Sequence, residues 1–120
     1  MVVSTRNAEH YTWGNNCDGW HLLKSDSLSV IQEMMPVGTS ESLHFHTKSQ
    51  QLFFILSGIA SFIVDQESFE VNANESLHVL PGKVHSISNK GDEELKFLVI
   101  SEPMSHGDRV EGSNKFEYNT

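Results

Sequence analysis

Two histidines one residue apart, His44 and His46, stand at the head of an apolar run that closes at Gly58. In an extended segment residues i and i+2 face the same way, so both imidazoles project from one face and Phe45 from the other. Two imidazoles on one face can share a metal ion. If the chain turns at Thr47, Lys48 and Ser49 and returns as the next strand, Gln50 or Gln51 brings an amide oxygen to the same place. Further on, His85 follows a tight Pro81-Gly82 turn at the start of another strand.

Strands must position these groups, and the surrounding sequence reads as all-β. Short runs rich in Val, Ile, Phe and Leu are punctuated by Gly, Asn, Pro and Asp, with no amphipathic helix period. Strands are predicted to begin at Gly19, Ser27, Ser42, Gln50, Ile59, Ser68, Glu75, Val84 and Glu94. About nine short strands with tight turns suit a sandwich or jelly roll that closes on itself and shields its sheet edges. Residues 52 to 64 have too few polar positions for a sheet with one wet face. Phe53 and its inward neighbours are expected to give an apolar wall. The outward set is expected to form a homodimer interface or to be covered by the second sheet. After Met104 the chain is polar and reads as irregular, with Asp108 and Arg109 free to pair and no chemistry assigned to them.

Composition bounds the function. A chain of 120 residues with 38% apolar content can build one core, so one domain is expected. Sixteen acids against eight Lys and Arg give a net charge of −8, which repels a phosphate backbone or an anionic membrane surface. No nucleic-acid or membrane partner is expected. No run approaches the roughly 20 apolar residues of a membrane span, and the start is too polar for a secretory core, so a cytoplasmic location is expected. Cys17 is the only cysteine, which excludes an internal disulfide and suits a small buried side chain.

The chain resembles the cupins in both of that family's motifs. A glycine, five residues, His-x-His, a ligand position and a closing glycine appear as Gly38, His44, His46, Gln51 and Gly58. The second motif, ending Pro-Gly-x-x-His-x-x-x-Asn, appears as Pro81, Gly82, His85 and Asn89. The resemblance implies a double-stranded β-helix, a small jelly-roll barrel with a metal ion inside one open end. It implies a single domain over residues 1–120, with a barrel core at about 19–101 between an N-terminal arm and a polar C-terminal tail. Carried over position by position, the metal ligands are His44, His46 and His85, and the fourth falls on Gln51. The ion would be a divalent transition metal: Fe, Mn, Ni, Zn or Cu.

Three positions depart from the family pattern. Asn74 stands for a Gly, though Asn tolerates the left-handed conformation. Leu80 stands where a Pro often precedes Pro81. Gln51 stands for the usual Glu, so the donor set leaves a divalent ion at +2 rather than +1, more Lewis-acidic and less tightly held. Gln51 could also stand beside a three-histidine site without touching the ion. Gln50 is off by one in spacing and should face the other side. His78, near the second motif, is a candidate for the pocket lining with Phe53. His10, His21 and His106 read as ordinary satisfied or solvated side chains, and Trp13 and Trp20 as core or interface anchors.

The expected function is a metal-binding cupin acting on a small organic molecule. Imidazoles with open coordination positions suit Fe(II) and oxygen, hence dioxygenase-like chemistry. One alternative is an isomerase or lyase using the ion as a Lewis acid. Another is a non-catalytic cupin that binds a metal or ligand as a sensor or store. No nucleophile with a partnered base is visible. Fold membership does not choose among these, since one scaffold hosts many chemistries.

Overall fold

The computed structural model describes residues 1–112, and among these it contains eleven strands and no helix. In chain order they are β1 (Glu9–Trp13), β2 (Cys17–Lys24), β3 (Ser29–Met35), β4 (His44–His46), β5 (Gln50–Ser57) and β6 (Ile59–Val64). There follow β7 (Glu67–Asn72), β8 (Ser76–Val79), β9 (His85–Ser88), β10 (Leu95–Glu102) and β11 (Arg109–Glu111). They form a six-stranded sheet, β1-β2-β3-β10-β5-β8, and a five-stranded sheet, β11-β4-β9-β6-β7. The all-β jelly roll expected from the sequence is the observed architecture.

Strand alternation decides what faces inward. β10 pairs with β3 and β5 in registers that set Phe97 beside Glu33, Val99 between Ile31 and Phe53, and Ser101 between Ser29 and Gln51. These rows form the inner face of the six-stranded sheet. Phe53, Ile55, Phe62, Ile87, Leu95 and Phe97 are buried in one core between the sheets, with the rings of Phe53 and Phe62 at 5.1 Å.

Two motif residues act through the backbone. Gly58 turns the chain at φ +86°, and a Cβ there would lie 2.8 Å from the Glu94 carbonyl oxygen, so only glycine lets β5 and β6 join this close to β10. Asn89 is buried, its amide donating to the carbonyls of Met35 and Glu93 at 2.9 Å each. Asn74 does adopt the left-handed conformation, at φ +69°.

Both chain ends differ from expectation. The N-terminal arm contains β1, paired residue for residue with β2, and the tail contains β11, paired with β4 so that Arg109 lies opposite His46. The strands therefore extend beyond residues 19–101. The tail is held by the Asp108 carboxylate, which accepts from the amides of Thr47, Lys48 and Ser49 and from the Thr47 hydroxyl. That clamp joins residues about 60 positions apart, too distant for local pattern to reveal. The rest of the tail, 113–120, lies outside the described residues.

Candidate metal centre

Strand β4 carries His44 and His46, and β9 begins with His85 directly opposite His44. The Pro81-Gly82 turn sets this register, because the Gly82 amide donates to the His46 carbonyl at 2.7 Å. The three imidazoles each offer a nitrogen within 4.8 Å of the others, and all three residues are buried.

Hydrogen bonds select the tautomers of two of them. His44 Nδ1 donates to the Ser42 carbonyl at 3.0 Å and His85 Nδ1 to the Lys83 carbonyl at 2.9 Å, which leaves each Nε2 as a lone-pair donor. Nε2 of His85 and Nδ1 of His46 are buried with no hydrogen-bond partner. A buried polar atom left unpaired costs about 1–3 kcal/mol, and the unpaired Nε2 of His85, in a triad whose ligand atoms lie within 4.8 Å of one another, is suited to hold a metal ion. Removal from water pushes His44 down to about 3 and His46 to about 4, with His85 adding to both, and lowers His85 as well. All three are neutral at pH 7, the state that binds metals.

Gln51 reaches the same cavity from β5. Its amide nitrogen donates to the Ser101 hydroxyl at 3.0 Å, while the amide oxygen is buried and unpartnered. Gln50 faces the other way, bonded to Glu102 and His78 at 2.8 Å each, as alternation requires. His78 is a correction: it lies exposed on that outer face, opposite Leu52, and not in the pocket. Phe53 does form part of the cavity wall.

The cavity holds about 290 Å³, and sequence patterns did not reveal several of its residues. Tyr11 enters from β1, Glu33 from β3, Glu41 from the β3–β4 loop, and His106 and Arg109 from the tail. Tyr11 donates to Glu33 at 2.8 Å, and Arg109 approaches Glu41 at 3.5 Å. Burial drives the Glu33 pKa to about 7 and that of Glu41 to about 8, the latter also through repulsion from Glu33. His106, read as a satisfied or solvated side chain, is exposed and sets its ring edge-on to Tyr11 and His21. His21 is buried with Nδ1 unpartnered. One signal was available: Glu33 sits in the inward phase between Ile31 and Met35, where a charge needs a reason. Glu41 and Arg109 carried no such signal.

The model of the cupin domain matches residues 30–101. The chain belongs to the cupin family. A curated relative, an uncharacterized protein of Methanocaldococcus jannaschii, is 34% identical over 89 residues, 73% of this chain and 71% of that one. An oxalate-binding protein of Thermotoga maritima is 30% identical over 85 residues, 67% of this cupin and 70% of that protein. Among solved structures, a predicted oxalate decarboxylase from Thermotoga maritima superposes with a TM-score of 0.79 at 23% identity, over 87% of this cupin and 100% of the other chain. Among the described residues no helix is long and apolar enough to cross a membrane.

Proposed function

We propose that this cupin holds a divalent transition metal on His44, His46, His85 and the amide oxygen of Gln51, and that its cavity binds a small organic acid. The observation that carries the reading is the clustering of three buried, neutral imidazoles, with Nε2 of His85 and the amide oxygen of Gln51 buried and without a hydrogen-bond partner. When bound, the ion supplies Lewis acidity and open coordination positions. The donor set contributes no negative charge, so an anionic oxygen from the ligand would offset the ion's charge. The size of the cavity suits a molecule of a few carbons, and Phe53, Ile31, Val99 and Trp13 give it an apolar lining. The oxalate-binding relative adds support for a small carboxylate.

Dioxygenase-like, isomerase and lyase chemistry, and storage without turnover, all begin with that same binding event. The test is elemental analysis of protein purified without chelator, followed by calorimetric titration with oxalate. About one metal per chain, and oxalate binding only when metal is present, is the expected result. No metal, or equal binding by metal-free protein, rejects the reading. Oxygen uptake, carbon dioxide release or neither then separates the chemistries.

The same proposal includes a homodimer. Val30, Leu52, Phe54, Leu98 and Ile100 lie in register on the outer face of the six-stranded sheet, where neither sheet covers them. Light scattering is expected to give twice the chain mass at micromolar concentration; a monomer mass rejects it.

A further inference from the structure

Resting on the organic-acid reading, we propose that Glu33, held by the Tyr11 hydroxyl, is a specificity-determining residue that accepts a hydrogen bond from the end of the bound molecule remote from the histidine triad. The triad stands on the five-stranded sheet and Glu33 on the six-stranded one, and both line the same cavity. A molecule seated on the triad therefore presents its other end toward the β3 wall.

Glu33 is built into that wall rather than stranded there. Tyr11 donates to its Oε2, and among the described residues no protein donor reaches Oε1. Tyr11 stays a donor, because burial, and next the charge of Glu33, push its pKa well above the usual phenol value. Its ring lies across Gly19, its partner in the β1–β2 register, where a Cβ would stand 2.2 Å from the ring carbon that carries the hydroxyl. Glycine at position 19 is what lets the ring pass over β2 and reach Glu33. A carboxyl at an inward strand position, steered by an aromatic side chain from another strand with one oxygen left open, has the form of a recognition group. Charged or titratable neighbours are Arg109, Glu41 and Cys17. Either protonation state of Glu33 keeps an accepting oxygen, so the role does not depend on its titration.

The test uses two isosteric acids, oxamate and pyruvate, whose remote ends are an amide NH₂ and a methyl group. Both are titrated calorimetrically into protein loaded with Zn²⁺, which has no redox chemistry. Wild type is expected to prefer oxamate by about tenfold, the worth of one good hydrogen bond. Glu33→Gln gives its one oxygen to the Tyr11 hydroxyl and turns an NH₂ donor toward the ligand, so it should lose most of the preference. Glu33→Met abolishes it with Zn²⁺ stoichiometry unchanged, and Tyr11→Phe reduces it to about threefold. Equal affinities in wild type, survival of the preference in Glu33→Met, or an equal loss of both acids in that variant overturns the role of Glu33 while leaving the organic-acid reading intact. If wild type binds Zn²⁺ but neither acid, the organic-acid reading falls and the Glu33 role with it. Should Glu33→Met fail to fold, Tyr11→Phe and Glu33→Gln decide, because a merely structural bond would change stability without changing the ratio of the two acids.

Discussion

The two walls of the cavity come from different kinds of sequence. One wall is His44, His46 and His85, set on the adjacent strands β4 and β9 by a two-residue spacing and one Pro-Gly turn. The other takes Tyr11 from β1 and Glu33 from β3, while Arg109 enters from β11, beside β4 in the triad's own sheet. The imidazoles of the first wall are neutral, and Nε2 of His85 is buried without a partner. The second carries Glu33, already engaged by the Tyr11 hydroxyl, and Arg109 meets Glu41 at the edge of the first. Hence the candidate metal ligands are encoded locally, whereas the shape and polarity around them depend on which strands the topology brings alongside.

The largest effect expected from breaking this contrast is on the triad. His85→Ala removes one of three nitrogens and should weaken metal binding by at least about 100-fold, since even changes to supporting partners of ligands cost 10–100-fold. Circular dichroism with elemental analysis checks it. A folded variant that keeps one metal per chain removes β9 from the site.

Gln51→Glu comes next, and it acts where the two sheets meet. The substitution adds a full charge with little change in shape, and Ser101, now hydrogen-bonded to the amide nitrogen, can turn its hydroxyl to donate to a carboxylate. Metal affinity is expected to rise by about 10- to 100-fold, less than Coulomb attraction alone gives because the carboxylate must also be desolvated. Gln50→Glu, on the outer face, should leave affinity unchanged and cost some stability by facing Glu102. Calorimetry on the metal-free proteins compares them; equal affinity for wild type and Gln51→Glu places Gln51 outside the coordination sphere.

How much of this was legible follows from the same contrast. The strand Gln50–Ser57, the histidine spacing and the inward phase of Gln51 and Phe53 are period-two facts that need only neighbouring residues. β1 and β11 were missed because three to five mixed residues become strands only through a partner elsewhere. The misplacement of His78 has a plain cause: in β8 it is Leu77 and Val79 that face inward, and proximity in sequence to the second motif does not alter that phase.

A smaller effect is expected at the tail clamp. Partial burial works against the Asp108 carboxylate, but bonds from the Thr47 hydroxyl and the amides of residues 47 to 49 hold its pKa below the usual range. Asp108→Ala leaves those amides to water and is expected to cost about 1–2 kcal/mol by denaturant unfolding, by analogy with loss of a helix cap. Because the folded pKa is depressed, the contribution of Asp108 is present above the unfolded value of 3.8 and fades only as pH falls through the lower folded value. Metal affinity should stay within about twofold of wild type, since the triad stands on β4 and β9; a larger fall would show that the tail helps to place it.

The smallest effect is a count of protons, and it tests which wall responds to a cation. Histidines with ordinary pKa values near 6.5 would be mostly protonated at pH 6 and would together release roughly two protons when a metal binds. The lowered values here mean that His44 and His46 are already neutral at pH 6, and His85 is shifted the same way, so the triad releases far fewer than two. Glu33 and Glu41 run the opposite way: their raised values keep them protonated at pH 6, and an arriving divalent cation favours their ionised forms. Any protons released at pH 6 should therefore come from the carboxyls and fall in Glu41→Gln. Above about pH 9.5, where both acids are almost fully ionised, release should disappear even in wild type. Titrating metal into the protein in two buffers of different ionisation enthalpy gives the count directly. A release of about two protons at pH 6, unchanged by Glu41→Gln and Glu33→Gln, would mean that the imidazoles are solvated enough to titrate normally, and the division between a neutral wall and a titrating wall would fail.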